Sequence, residues 1–99
     1  MIHFYRAAAI APGKLMGALA FAKEISTYLK EKHGVNVEVA MPVGGNPFRV
    51  GWAATYESLA AFETATTKMM ADVNYLEIAR KAADNFIAGS VRDELWQSV

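Results

Sequence analysis

The stretch YESLAAFETATTKMMADVNYLEIARKAADNFI, residues 56–87, decides how the chain is read. It begins at the end of a strand-like run. Ser58 then stands where a side-chain oxygen accepts a free N–H of a helix's first turn. Leu59, Phe62, Thr66 and Met69 follow at three- and four-residue spacing, which is one face of a helix. The pattern stops near Ala71 and restarts at Asp72, a second N-cap candidate. Leu76, Ala79, Ala83 and Phe86 continue it, and Gly89 closes it. Two abutting helices and one bent helix both satisfy this spacing.

Upstream, Ile2 to Ile10 reads as a strand with bulky His3, Phe4, Tyr5 and Arg6 followed by small Ala7, Ala8 and Ala9. Pro12-Gly13 breaks the extended run. A helix is predicted from Lys14 to His33, with Leu15, Ala18, Ala22, Ile25 and Leu29 on its apolar side and Gly34 as the residue that ends it. Asn36 to Val43 alternates. Val37, Val39, Met41 and Val43 share one side, which predicts a strand with one buried face. Gly44-Gly45-Asn46-Pro47 is a turn, and Phe48 to Tyr56 is the second arm of the hairpin. Downstream, Ser90 to Val99 is predicted as the last strand.

The order β-α-β-β-α-β predicts an α+β fold, the ferredoxin-like antiparallel sheet with helices on one face, over residues 1–99 as a single domain. The long helical passage returns the chain across the sheet so that the last strand lies beside the first. The strands carry Phe, Tyr, Trp, Met and Val on both parities, so the second sheet face would present a large apolar patch to water. Hydrophobic residues make up 54 % of the chain, above the usual ~45–50 %. A second copy, pairing sheet to sheet, accounts for both facts, and a homodimer is expected.

Ten Lys plus Arg balance ten Asp plus Glu. Such a chain has no basic field to gather phosphates, which argues against nucleic-acid binding. Cysteine is absent, so disulfides and thiolate metal sites are excluded and a cytoplasmic location is expected. No run reaches the ~18 apolar residues a membrane span needs. The N-terminal run lacks a basic region before it and is read as a strand rather than a signal peptide.

Three stretches resemble the dimeric α/β-barrel superfamily, and most closely its small NIPSNAP-type members. These are APGKLMGALAFAKEI (11–25), YESLAAFE (56–63) and MMADVNYLEIARKA (69–82). The resemblance implies a ferredoxin-like fold and a homodimer. It implies no single activity, because the superfamily includes cofactor-free monooxygenases, haem-degrading enzymes and isomerases. The haem-degrading branch uses an asparagine on the first strand, a tryptophan in the second helix and a histidine after it. This chain has Tyr5-Arg6, Thr64-Ala65-Thr66 and Ala79-Arg80 at the corresponding places, so haem breakdown is disfavoured.

Few residues carry chemistry. His33 precedes the closing glycine of its helix, where a positive imidazole suits the helix's negative end. His3 is read as a packed or surface strand histidine. No metal-ligand spacing and no nucleophile motif occurs, and no metal or cofactor is expected. Gly44-Gly45 leads into a strand rather than a helix, so it is a turn and not a phosphate cradle.

Arg6 and Arg49 stand in apolar strands, where a guanidinium needs a partner. That partner is an anionic ligand in the barrel interior, or one of Glu38, Asp93 and Glu94. Phe4, Trp52, Tyr56 and Trp96 complete the candidate ligand-binding set, with Tyr5 beside them. Parity groups Phe4 with Arg6 and Trp52 with Tyr56. Alternation does not label which parity faces the barrel; Arg6 suits a roomy barrel cavity better than a helix-packed core, which favours its parity for the barrel side. Three functional classes remain: a binder of a small apolar or aromatic ligand, a cofactor-free monooxygenase or isomerase acting on an aromatic or polycyclic substrate, and a structural dimer.

Overall fold

Four strands form one antiparallel sheet in the computed structural model, which describes residues 1–99. The chain runs β1 (Ile2–Ala9), α1 (Leu15–His33), β2 (Glu38–Ala40), β3 (Arg49–Tyr56), α2 (Leu59–Met70), α3 (Val73–Ala82) and β4 (Arg92–Gln97). The strand order β2-β3-β1-β4 is the ferredoxin-like one predicted above. No helix is long and apolar enough to cross a membrane.

Local chemistry sets most element ends. Gly34 takes φ 66°, and its N–H reaches back to the carbonyls of Leu29 and Lys30. Ser58 Oγ accepts from the Ala61 N–H at 3.1 Å and starts α2. The helical passage is two helices, because Asp72 adopts an extended conformation and caps α3 through the N–H groups of Asn74 and Tyr75. Breaking the backbone ladder at this point lets a carboxylate satisfy donors that a continuous helix would pair internally.

Three boundaries differ from the sequence reading. β2 is only three residues long, not Asn36 to Val43. Pro42 has no N–H to give the ladder, and Met41 and Val43 turn out to solvent while Val37 and Val39 pack on the core. α3 ends at Ala82 rather than carrying its stripe to Phe86; a single 3₁₀ turn follows at Ala83–Asn85. There the backbone turns to β1's end, with Ala11 N–H bonding Asn85 O at 2.9 Å and Ile87 N–H bonding Ala9 O at 2.9 Å. β4 spans Arg92–Gln97 rather than Ser90 to Val99, and as an edge strand all its residues are exposed.

Register assigns the two faces. Ile2, Phe4, Arg6 and Ala8 of β1 share a face with Val50, Trp52, Ala54 and Tyr56 of β3 and with Asp93 and Leu95 of β4. The helices lie on this face. Its core joins Ala8, Val50, Trp52 and Ala54 to Ala18, Ala22, Ile25 and Leu29 of α1. The alanines let helix and sheet approach closely, and Val50, Ala18 and Ala22 are fully buried. The opposite face carries His3, Tyr5, Ala7, Arg49, Gly51, Ala53, Thr55, Glu94 and Trp96, and no element of the chain covers it. Tyr5 is 50 % exposed and Trp96 60 %.

Candidate functional site

A cavity of about 260 Å³ lies between the helix-side face of the sheet and the helices. β1 contributes Phe4 and Arg6, and β3 contributes Trp52, Ala54 and Tyr56. α1 closes one wall with Phe21, Ile25 and Leu29. α2 supplies Phe62, Thr66, Met69 and Met70, and α3 supplies Tyr75 and Ala79. Of 17 lining residues 14 are hydrophobic, so the interior disfavours any ligand that arrives with unshed hydration.

Aromatic rings form two groups around this space. Phe62 lies 5.6 Å from Phe4 and 5.3 Å from Tyr56 between ring centroids, the latter edge-on. Phe21 and Phe86 each stand 6.1 Å from Trp52. Edge-on and tilted pairs place positive ring edges on negative faces, which fixes the walls more firmly than aliphatic packing does.

The polar groups are few and ordered by the sheet. Trp52, Arg6 and Asp93 stand in one row across β3, β1 and β4, directly opposite one another in register. Arg6 Nε donates to Asp93 Oδ1 at 2.7 Å and Nη2 donates to Oδ2 at 2.8 Å. The hydrogen bonds to Asp93 raise the Arg6 pKa despite partial burial, with Tyr75 adding to the effect. The guanidinium carbon lies 5.5 Å from the Phe4 ring centroid, a cation–π distance. Burial, and then the neighbouring Tyr75, push the Tyr56 hydroxyl's pKa up, so it stays a neutral phenol at physiological pH. Trp52 is 8 % exposed, and its indole N–H is buried with no acceptor in the protein. That is unusual, because a buried donor without a partner costs about 1–3 kcal/mol.

Four of the six candidate ligand residues, Phe4, Arg6, Trp52 and Tyr56, are brought together here. The parity that holds Arg6 faces the helices, which corrects the expectation that it faces the barrel side. Its salt-bridge partner is Asp93, one of the three acids considered, and it belongs to the same chain. Arg49 and Trp96 lie on the opposite face. Arg49 pairs with no acid; its Nε donates to Asn46 O at 3.0 Å and ties down the β2–β3 loop. The Trp96 indole N–H donates to Glu94 Oε1 at 2.9 Å. His3 Nε2 lies 2.6 Å from Ser98 Oγ, outside the cavity. His33 does more than sit at a helix end, since its Nε2 lies 2.8 Å from Asp72 Oδ2.

Sequence reasoning took Phe21, Phe62, Met69 and Tyr75 as helix stripe or passed over them. Phe62 and Met69 do belong to the α2 stripe. Tyr75 was findable as a large aromatic three residues after the N-cap Asp72, in the first turn of α3.

No protein-family model matches the chain, and no curated protein matches it. Solved structures do. An uncharacterized NIPSNAP domain protein from Burkholderia xenovorans superposes with a TM-score of 0.83 at 11 % identity, over 100 % of this chain and 95 % of that one. A NIPSNAP family protein from Agrobacterium tumefaciens gives 0.82 at 16 % identity, over 99 % and 92 %. A putative antibiotic biosynthesis monooxygenase from Deinococcus radiodurans gives 0.74 at 9 % identity, over 100 % and 93 %. At these identities the likeness establishes architecture and not activity. The chain has the ferredoxin-like fold shared by the NIPSNAP-type structures and the monooxygenase-like domains beside them, as the resemblance in its sequence implied.

Proposed function

We propose that the chain binds a small, largely apolar aromatic molecule in the cavity between sheet and helices, and that it works as a homodimer closed over the uncovered sheet faces. The observation that carries the first part is an apolar cavity walled by a residue, Trp52, whose buried N–H has no acceptor. Only Arg6, Asp93, Tyr56 and Tyr75 among the lining residues carry ionisable side chains, and Arg6 and Asp93 are paired with each other. That set suits holding a ligand better than transferring protons. The neutral bicyclic phenol 1-naphthol is expected to shift the Trp52 indole N–H signal in nitrogen–proton NMR spectra and leave that of Trp96 unmoved. Thr66→Phe fills the cavity from α2, which has no buried residue to disrupt. It is expected to weaken naphthol binding at least about tenfold, roughly 1.4 kcal/mol. Equal binding by both proteins would refute the cavity as the site.

Homodimerisation is supported by the thin core. Thirteen of 99 residues are buried in one copy, while Tyr5 and Trp96 stand in water on the open face. A second open face would cover both. Sedimentation at micromolar concentration is expected to show a dimer, and Ala53→Arg, on the open face, a folded single subunit. A wild-type chain that sediments as a folded monomer would overturn the dimer.

A second reading, a cofactor-free oxygenase or isomerase of aromatic substrates, is favoured by the Tyr75 phenol near Arg6, with Tyr56 next to Tyr75, and by the likeness to the Deinococcus putative monooxygenase. The cavity is mainly apolar and its one ion pair is closed on itself, so the binder is the preferred reading. A chain without cysteine gains nothing from an oxidising compartment, and the cytoplasm is the proposed location.

A further inference from the structure

We propose that Asp93 makes the cavity selective for uncharged ligands bearing an acceptor oxygen, and that removing its charge converts the same cavity into a site for small aromatic carboxylates. The proposal rests on the cavity being the ligand site and adds the charge class of what enters it.

Arg6 is the one cation among the lining residues and Asp93 the one anion. An arginine facing an apolar cavity would ordinarily mark an anion site, because its fork matches a carboxylate. Here that fork is occupied. Nε and Nη2 both donate to Asp93, at 2.7 and 2.8 Å. Register puts the two residues directly opposite on β1 and β4, so the pairing is built into the sheet. Arg92 and Glu94, the charged neighbours of Asp93 along the strand, belong to the other parity and project from the open face. No other charge on the cavity lining offsets Asp93.

An entering carboxylate therefore meets a guanidinium already neutralised and a carboxylate alongside it. To bind beside Arg6, it must displace Asp93 or accept its repulsion at close range, at a cavity edge where the two side chains are 40 and 44 % exposed. A carbonyl or amide oxygen meets no such penalty. It finds unpaired donors in the remaining guanidinium N–H groups of Arg6; the indole N–H of Trp52, directly opposite Arg6 on β3, is unpaired but buried and serves only where the ligand reaches it.

Benzamide and benzoate, nearly equal in shape and differing in charge, test this. Trp52 is one of two tryptophans, so its indole signal is assigned with a Trp96→Phe variant. In the wild-type protein benzamide is expected to move that signal at least about tenfold more tightly than benzoate. Asp93→Asn is expected to tighten benzoate about tenfold or more and to change benzamide by less than about threefold. Asp93→Ser serves as a second variant should the asparagine disturb the edge strand. If both probes bind wild type alike, or if neither substitution favours benzoate, charge selection is refuted and the cavity reading stands. If neither probe moves the Trp52 signal in any variant, the cavity reading falls and this proposal with it.

Discussion

Asp72→Ala is expected to lower the melting temperature by roughly 10 °C at neutral pH, at fixed protein concentration. The effect is large for a residue that is not in the core, and the reason is the number of partners it holds. Oδ1 accepts from the N–H groups of Asn74 at 3.0 Å and Tyr75 at 3.2 Å, capping α3. Oδ2 accepts from the Tyr28 hydroxyl at 2.7 Å and lies 2.8 Å from His33 Nε2. One carboxylate, 17 % exposed, thus joins the start of α3 to the last turns of α1. Removing it leaves two helix-end donors, a phenol and a largely buried imidazole in need of new partners. Asp72→Asn keeps one capping oxygen and is expected to lose less.

The pH dependence follows from the same contacts. The Tyr28 hydroxyl, then His33, hold the Asp72 carboxyl at about 2, below its ordinary 3.8. A group whose folded pKa is depressed contributes stability that is complete above the unfolded value and is lost as pH falls through the folded one. The gap between wild type and Asp72→Ala should therefore be full at pH 7, narrow as acid is added below about 4, and be smallest near 2. Thermal melts followed by circular dichroism at pH 7 and 3 check this. A variant that melts within about 2 °C of wild type at pH 7 would remove Asp72 as the tie between the helices. The consequence reaches the cavity, since Met69, Met70 and Tyr75 flank the joint that Asp72 holds.

Trp52 should behave in an opposite way for a buried aromatic. Trp52→Ala empties a site packed by Phe21 and Phe86 and should cost about 3–5 kcal/mol of unfolding free energy. Trp52→Phe also removes volume, but it deletes an indole N–H that has no acceptor. Relief of about 1–3 kcal/mol from the unpaired donor offsets a loss of similar size from packing. The phenylalanine variant is thus expected within about 1 kcal/mol of wild type. Denaturant titration of both variants decides. A Trp52→Phe loss approaching that of Trp52→Ala would show that the indole N–H is already satisfied. A near-neutral phenylalanine variant that loses naphthol binding would place the N–H on the ligand.

The helix boundaries were open to reading because capping is local. Ser58 and Asp72 each act on N–H groups within three residues, and Gly34 closes α1 through its own backbone angle. The buried stripe Ala18, Ala22, Ile25 and Leu29 followed from a spacing that any helix must obey. The errors came where a distant segment overruled a local pattern. Met41 and Val43 alternate like a strand, but pairing with β3 stops at Ala40, ahead of Pro42, and both side chains stand in solvent. Phe86 fits the α3 stripe, but an isolated bridge to Ile10 pulls its backbone out of the helix.

The amino-acid sequence alone determined the order of elements and the pairing of Phe4 with Arg6 and of Trp52 with Tyr56 by parity, because each depends on neighbours along the chain; whether the helical passage breaks or only bends at Asp72 was settled by the extended backbone there. The sequence also left undecided which side of the sheet the helices cover, since alternation defines two faces and labels neither. Tertiary structure decided that the helices lie over Arg6 and Trp52 and leave Arg49 and Trp96 on the other side. It also matched Arg6 to Asp93, 87 positions away, because strand register is set by contacts that only the assembled sheet makes.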